Sequence, residues 1–273
     1  MEFLTIRWNV NPEIFRIGGF ALRYYSVLFA IAFILGYLLV KSMYRREGLN
    51  PEKLNPLLIY ILLGTLIGAR LGQVFFYEFG YFKNHPLEII LPFRISNNGF
   101  EWTGYQGLAS HGGAIGILIA LALYCKKYQE NFLGVIDKLV VAVALAGFFI
   151  RTGNLFNSEI IGRPADVPWA FVFERVDWIP RHPSQVYEAI AYLISFFVLW
   201  NLYLRKGIEL KRGFLFGLFL LLIFSARFFI EFSKENQETF ENALPINMGQ
   251  ILSLPFMALG IYFILRKPKS LRD

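Results

Sequence analysis

Phe20-Ala21-Leu22-Arg23-Tyr24-Tyr25-Ser26-Val27-Leu28-Phe29-Ala30-Ile31-Ala32-Phe33-Ile34-Leu35-Gly36-Tyr37-Leu38-Leu39-Val40 holds a single charge in its whole length. About 20 residues at roughly 1.5 Å rise per residue cover the hydrocarbon core of a bilayer, so this run predicts a transmembrane helix. Six more runs have the same character, at roughly 57–79, 107–125, 135–153, 186–204, 213–232 and 247–265. The third and fourth spans are the weakest, being Gly-rich and carrying His111, Asp137 and Arg151. Together the seven predict an all-α polytopic membrane protein, a single integral-membrane domain over 1–273. Residues 154–185 are expected to form a small periplasmic head inserted within it.

The rest of the chain agrees with lipid as the solvent. It is 56% hydrophobic and 17% charged, against about a quarter charged in a soluble domain. The net charge of +7 calls for no nucleic acid, because basic residues in membrane proteins gather in cytoplasmic loops. Fifteen of the 27 fall in short stretches: Lys41, Arg45, Arg46 and Lys53; Lys126, Lys127 and Lys138; Arg205, Lys206, Lys211 and Arg212; Arg266, Lys267, Lys269 and Arg272. That bias places the amino terminus outside and the carboxyl terminus in the cytoplasm of a bacterial inner membrane. Met1 to Gly19 has Glu2 and Glu13 and no basic lead into an apolar run, so no cleavable signal peptide is expected. No internal repeat appears, which speaks against a two-fold transporter.

A lone cysteine, Cys125, excludes a disulfide framework and a CxxC site. His85, His111 and His182 lie far apart without ligand spacing, so neither metal nor other cofactor is expected. Two outer segments are long enough to fold. Residues 80–106 carry Trp102 and Tyr105, and the β-branched and aromatic run Val167–Phe173 reads as a short strand.

Ionisable residues inside spans are expensive and mark sites or ion pairs. Gly64, Gly68 and Gly72 recur every four residues beside Arg70, which leaves the arginine few routes to water; its plainer reading is a structural salt bridge. His111-Gly112-Gly113 joins a side chain suited to proton transfer with bared backbone, although a lone histidine is more often a packing residue. Arg151-Thr152-Gly153-Asn154-Leu155-Phe156-Asn157-Ser158-Glu159-Ile160-Ile161-Gly162-Arg163 sets two arginines, two asparagines and a carboxylate in one Gly-punctuated turn at headgroup depth. The planar fork of arginine suits a phosphodiester. Arg227 and Glu231 share a helix face at i and i+4, and alone they read best as a buried ion pair.

These segments, taken together, resemble the prolipoprotein diacylglyceryl transferase family over nearly the whole chain. Its signature looks like Arg-x-Gly-Asn-Phe-x-Asn-x-Glu-x-x-Gly-Arg, matched by Arg151, Gly153, Asn154, Asn157, Glu159, Gly162 and Arg163. Tyr25, Arg70, His111-Gly112-Gly113, the run Arg181 to Glu188, Arg227, Glu231 and the run Met248 to Ser253 match as well. Two departures stand out. Ile150 precedes the signature arginine where the family often has Gly. Where it commonly continues Arg-Pro-Asp, this chain reads Phe232-Ser233-Lys234-Glu235-Asn236-Gln237-Glu238, leaving Lys234 to substitute.

The resemblance implies transfer of diacylglyceryl from phosphatidylglycerol to the lipobox cysteine of a prolipoprotein signal peptide, within the lipid of the membrane. It implies His111, with Tyr25 near it, as the base, and Arg227 and Arg151 at the departing phosphate with Glu231 and Glu159 fixing their forks. Asn154 and Asn157 are expected on the headgroup glycerol, with Gly162, Arg70, Gly112, Gly113 and Glu188 completing the substrate-binding set. Two rival readings fit the same residues. An anion transporter explains the arginines but not His-Gly-Gly, and a headgroup transferase differs only in the atom attacked.

Overall fold

The structure is a computed structural model that describes residues 5–18, 20–90, 93–96, 99–102, 109–207, 209–235 and 246–267. In chain order these residues form β1 (Ile6–Trp8), β2 (Glu13–Ile17), β3 (Phe20–Arg23), α1 (Tyr24–Arg46) and α2 (Leu54–Phe76). Next come the short α3 (Phe79–Phe82) and α4 (Leu87–Ile90), then β4 (Phe93–Ser96), β5 (Gly99–Trp102), α5 (Ser110–Tyr128) and α6 (Phe132–Asn157). The chain finishes with β6 (Phe171–Phe173), β7 (Pro180–Arg181), α7 (Ser184–Lys206), α8 (Phe214–Ile230) and α9 (Met248–Leu265). Six helices among the described residues, α1, α2, α6, α7, α8 and α9, are long and apolar enough to cross a membrane. This is a mostly helical, multi-pass membrane protein. The 19-residue α5 falls outside the six because Ser110 and His111 at one end and Lys126 and Lys127 at the other dilute its apolar centre.

Two compact units divide the chain: 1–48 with 136–273, and 49–135. In the second unit, α2 and α5 approach as closely as backbones allow. A Cβ on Gly68 would land on the carbonyl oxygen of Gly112, and one on Gly72 would sit 2.7 Å from Gly112 Cα. The four-residue glycine spacing thus serves a helix–helix contact. Gly68→Ala should lower the thermal midpoint in detergent, since forced overpacking costs about 1–3 kcal/mol. Gly80→Ala, which meets open space, should leave it unchanged. Equal midpoints for the two variants would contradict the packing.

In the first unit, β1 pairs in parallel with β6, and β6 pairs antiparallel with β7. Trp8 Nε1 donates to Leu155 O at 3.0 Å, tying this small sheet to the last turns of α6. The expected strand over Val167–Phe173 is shorter than its apolar run. Pro168 cannot donate to a ladder, and Ala170 N bonds back to Val167 O at 3.0 Å, so 167–170 is a turn. Residues 20–23 are also not helical. They form β3, paired with β2 across a turn at Gly18, whose φ of +59° suits glycine.

Asp137, an awkward residue for a span, accepts from Gly213 N at 2.5 Å and Phe216 N at 2.8 Å. It caps the free amino end of α8 from the side of α6, which explains a carboxylate there.

Candidate active site

Arg151 lies in the last two turns of α6, and the chain then doubles back on that helix end. Ser158 and Ile160 take left-handed backbone at φ 55° and 59°. For a β-branched residue that is a strained conformation, costing on the order of 1–3 kcal/mol. The result is that the Glu159 carboxylate faces the side chains just before it. Its Oε1 accepts from Asn154 Nδ2 at 2.7 Å and from Asn157 Nδ2 at 3.1 Å. Asn154 Oδ1 in turn accepts from Arg151 Nη1 at 3.2 Å. Gln185 Nε2 fastens the loop by donating to Glu159 O at 2.7 Å.

From Arg151 the network continues into α7 and beyond. Arg151 Nε stands 2.8 Å from Glu188 Oε2, yet that oxygen has no aligned hydrogen bond, so the contact is an ion pair. Lys234 Nζ lies 2.8 Å from Glu188 Oε1 and 3.1 Å from Glu231 Oε2. Glu188, Lys234 and Glu231 are all buried. A Cβ on Gly249 would lie 2.6 Å from Glu231 Cδ, so only glycine lets this carboxylate rest against the amino end of α9. There the helix dipole favours an anion. Asn247 and Gln250 close that end as a capping box. Cation and anion therefore alternate through Arg151, Glu188, Lys234 and Glu231. This is how a buried set of charges avoids the desolvation penalty of an unpaired one.

Two aromatic residues complete the cluster. The Tyr25 ring packs on Gly153, where a Cβ would come within 2.7 Å of Tyr25 Cδ2, and Tyr25 senses the charges of Glu159 and Arg151. Tyr192, unmarked in the sequence reading, is buried one turn beyond Glu188 and turns its hydroxyl toward Arg151. It also lies within electrostatic range of Arg227. Its signal was available as the i+4 neighbour of Glu188, but an aromatic in an apolar span reads as packing.

Gly162 marks where the signature loop meets two other segments. Gly162 N donates to His182 O at 3.0 Å, and a Cβ there would strike Ser233 O and Ser184 Oγ, each at 2.6 Å. Arg163 donates from its backbone N to Ser233 O at 2.8 Å and from Nε to Lys234 O at 2.5 Å. Arg181 pairs with Asp177, Nε to Oδ2 at 3.0 Å, and with Glu235, and gives Nη1 to Gly162 O at 3.2 Å. The Arg181 hydrogen bond holds the Asp177 carboxyl below its usual range. A depressed carboxyl stabilises the fold above its unfolded pKa, about 3.9 for Asp, and that contribution is lost as pH falls through the folded value. Hydrogen exchange over 177–182 should therefore be flat from pH 8 to 5, after correction for intrinsic rate, and accelerate below about pH 4. Asp177→Asn should remove the acid step; an acid step that survives the substitution would point to another group.

The sequence-predicted residues thus divide. Tyr25, Arg151, Asn154, Asn157, Glu159, Gly162, Glu188, Arg227 and Glu231 belong to the first unit, and all but Arg227 have the packing or polar contacts just given. The Arg227 side chain, in the last turn of α8, has no ion-pair or hydrogen-bond partner among the described residues. Glu231 does not pair with it: its backbone N–H still bonds Arg227 O at the end of α8, but its carboxylate goes to Lys234 and rests against Gly249. In the second unit, Arg70 donates to Ile89 O at 3.0 Å and Glu88 O at 2.5 Å, serving the carbonyl end of α4, and stacks 4.8 Å over Phe82. His111 is exposed on the first turn of α5. Gly112 is required for the contact with α2, whereas a Cβ on Gly113 would make only ordinary contact with Ala69 at 3.6 Å. Tyr105 and residues 236–238 lie outside the described residues.

The network offers a cationic fork held from behind by the buried carboxylate of Glu188, an arrangement that can stabilise an anion. A family model described as prolipoprotein diacylglyceryl transferase matches residues 12–266, which include every residue of the network. A phosphatidylglycerol--prolipoprotein diacylglyceryl transferase of Bacteroides fragilis is 52% identical over 262 residues, 96% of this chain and 95% of the relative. Proteins of the same name from Tolumonas auensis and Chloroherpeton thalassium are 46% identical over 264 residues and 42% over 266. Those alignments cover 96% and 97% of this chain and 98% and 95% of the relatives. With its buried charge network and its match over nearly the full length, the chain belongs to the prolipoprotein diacylglyceryl transferase family.

Proposed function

We propose that this protein transfers the diacylglyceryl group of phosphatidylglycerol to the lipobox cysteine thiol of prolipoproteins, the first step of lipoprotein maturation. The observation that carries the reading is Arg151, anchored by Glu188 and Asn154 inside a region that the family model covers whole. Chemically the C–O bond to phosphate breaks, a C–S bond forms, and glycerol 1-phosphate leaves. A free cysteine with a pKa near 8.5 is only a few per cent thiolate at pH 7, so a base must take its proton. The family resemblance gives that role to His111, with Tyr25 of the Arg151 cluster as the other candidate. Arg151 and Arg227 stabilise the phosphate as charge develops on it. Asn154 and Asn157 are already bonded to Glu159, which supports an organising role in the headgroup pocket.

Topologically, the proposal has seven spans, α5 crossing alongside α2, with the amino terminus outside and the carboxyl terminus in the cytoplasm of the inner membrane. The β1–β6–β7 sheet and the loops of 154–185 form the outer head. Phosphatidylglycerol labelled separately on its acyl chains and on its headgroup glycerol tests the reaction. The acyl label should move to a lipobox peptide and the headgroup label to a soluble phosphate ester. Headgroup label on an acceptor would instead make the protein a headgroup transferase.

A further inference from the structure

Lys234 occupies a place in the charge network that a contact with substrate does not explain. It is 4% exposed, and its Nζ is committed to Glu188 Oε1 at 2.8 Å and Glu231 Oε2 at 3.1 Å. Glu188 itself is 0% exposed, so no bulk water reaches either oxygen. Each of those oxygens faces a different cation: Lys234 on Oε1, and Arg151, off the hydrogen-bond axis, on Oε2.

We propose that Lys234 is a positioning residue for Arg151, acting through the shared carboxylate of Glu188. Arginine and carboxylate favour a two-pronged pair, with parallel N–H groups on both oxygens. By holding Oε1, Lys234 keeps Glu188 from closing on the guanidinium in that way. The fork of Arg151 then stays directed at a phosphodiester while its position is fixed from behind. Charge balance points the same way. Arg151, Lys234 and Arg227 offset Glu159, Glu188 and Glu231; without Lys234 one negative charge is left uncompensated where an anionic headgroup must bind.

This inference rests on the transferase reading, so its test uses binding as well as turnover. The full chain in detergent is titrated with diether phosphatidylglycerol, and turnover is measured per folded molecule. The variants are Lys234→Met, Lys234→Arg, Glu188→Gln and the Lys234→Met/Glu188→Gln double. Lys234→Met should weaken lipid binding about tenfold or more and cut kcat by about 10²-fold, the low end for loss of a preorganised donor. Lys234→Arg, which keeps the charge, should restore most of both. In the double variant the excess charge is gone, so it should be no worse than Lys234→Met alone, because residues that act through one another are not additive. Additive losses would overturn the proposal and place Lys234 on the substrate itself. Unchanged binding and turnover in Lys234→Met, with only a lowered thermal midpoint, would make it a structural residue. If the wild-type chain binds the lipid but transfers nothing, the transferase reading fails, while the binding cycle still decides the role of Lys234.

Discussion

Arg151→Lys should insert into the membrane as the wild type does and yet lose about 10²–10³-fold in diacylglyceryl transfer. Lysine preserves the charge, so nothing about span formation or topology changes. It cannot preserve the geometry. Arg151 uses Nε toward Glu188 and Nη1 toward Asn154 at once, and one ammonium on a flexible stem cannot meet both and still present a fork to phosphate. Each lost preorganised donor is worth roughly 2.7–4 kcal/mol of transition-state stabilisation, which gives the range above. Arg163→Lys is the comparison. Its side chain donates to the Lys234 carbonyl, a loop-fastening contact, so the loss should be much milder. Transfer to a lipobox peptide, normalised to folded protein, measures both. Near wild-type turnover in Arg151→Lys would pass the phosphate role to Arg227.

The second large effect is expected at His111. Placing or removing a proton with a positioned side chain contributes about 10²–10⁴-fold, and His111→Gly should lose an amount in that range. The helix contact with α2 runs through Gly112 and Gly116, so the substitution leaves the packing of α5 alone. Added imidazole should restore part of the rate to His111→Gly and none to Arg151→Lys. Full turnover in His111→Gly without imidazole would move the base to another residue, with Tyr25 next in line.

Six of the seven expected spans fall on helices that can cross a membrane, because an apolar run of about 20 residues has one physical meaning in lipid; the seventh, at 107–125, falls on α5, whose polar ends set it outside the six. The strand β3 was not legible in the sequence. Phe20–Leu22 runs into the apolar helix without a break, and a short apolar run does not distinguish strand from helix. The small sheet escaped for a related reason: Ile6–Trp8 finds its partner at Phe171–Phe173, and nothing local at either end announces the other. At the site, residue types were legible and their pairings were not. Arg227 and Glu231 stand four apart and keep the helical backbone bond, yet the Glu231 carboxylate takes Lys234 instead. The link from Arg151 to Lys234 passes through Glu188, which lies 46 residues from its lysine, a distance no spacing rule covers. The glycines of α2 and α5 show the converse. Their four-residue repeat was readable as a close helix contact, and that contact also accounts for Gly112 beside the proposed base.

Intact-mass measurement of a lipobox peptide, incubated with phosphatidylglycerol and the purified chain, shows whether the protein is a diacylglyceryl transferase. A gain equal to one diacylglyceryl group on the cysteine is expected, stable to hydroxylamine at neutral pH, which cleaves a thioester but neither a thioether nor the oxygen esters of the glyceryl group. The gain should be absent when the peptide carries serine in place of the cysteine, and nearly absent with Arg151→Lys. A folded wild-type protein that adds no mass, or adds a single acyl group that hydroxylamine removes, would contradict the transferase reading.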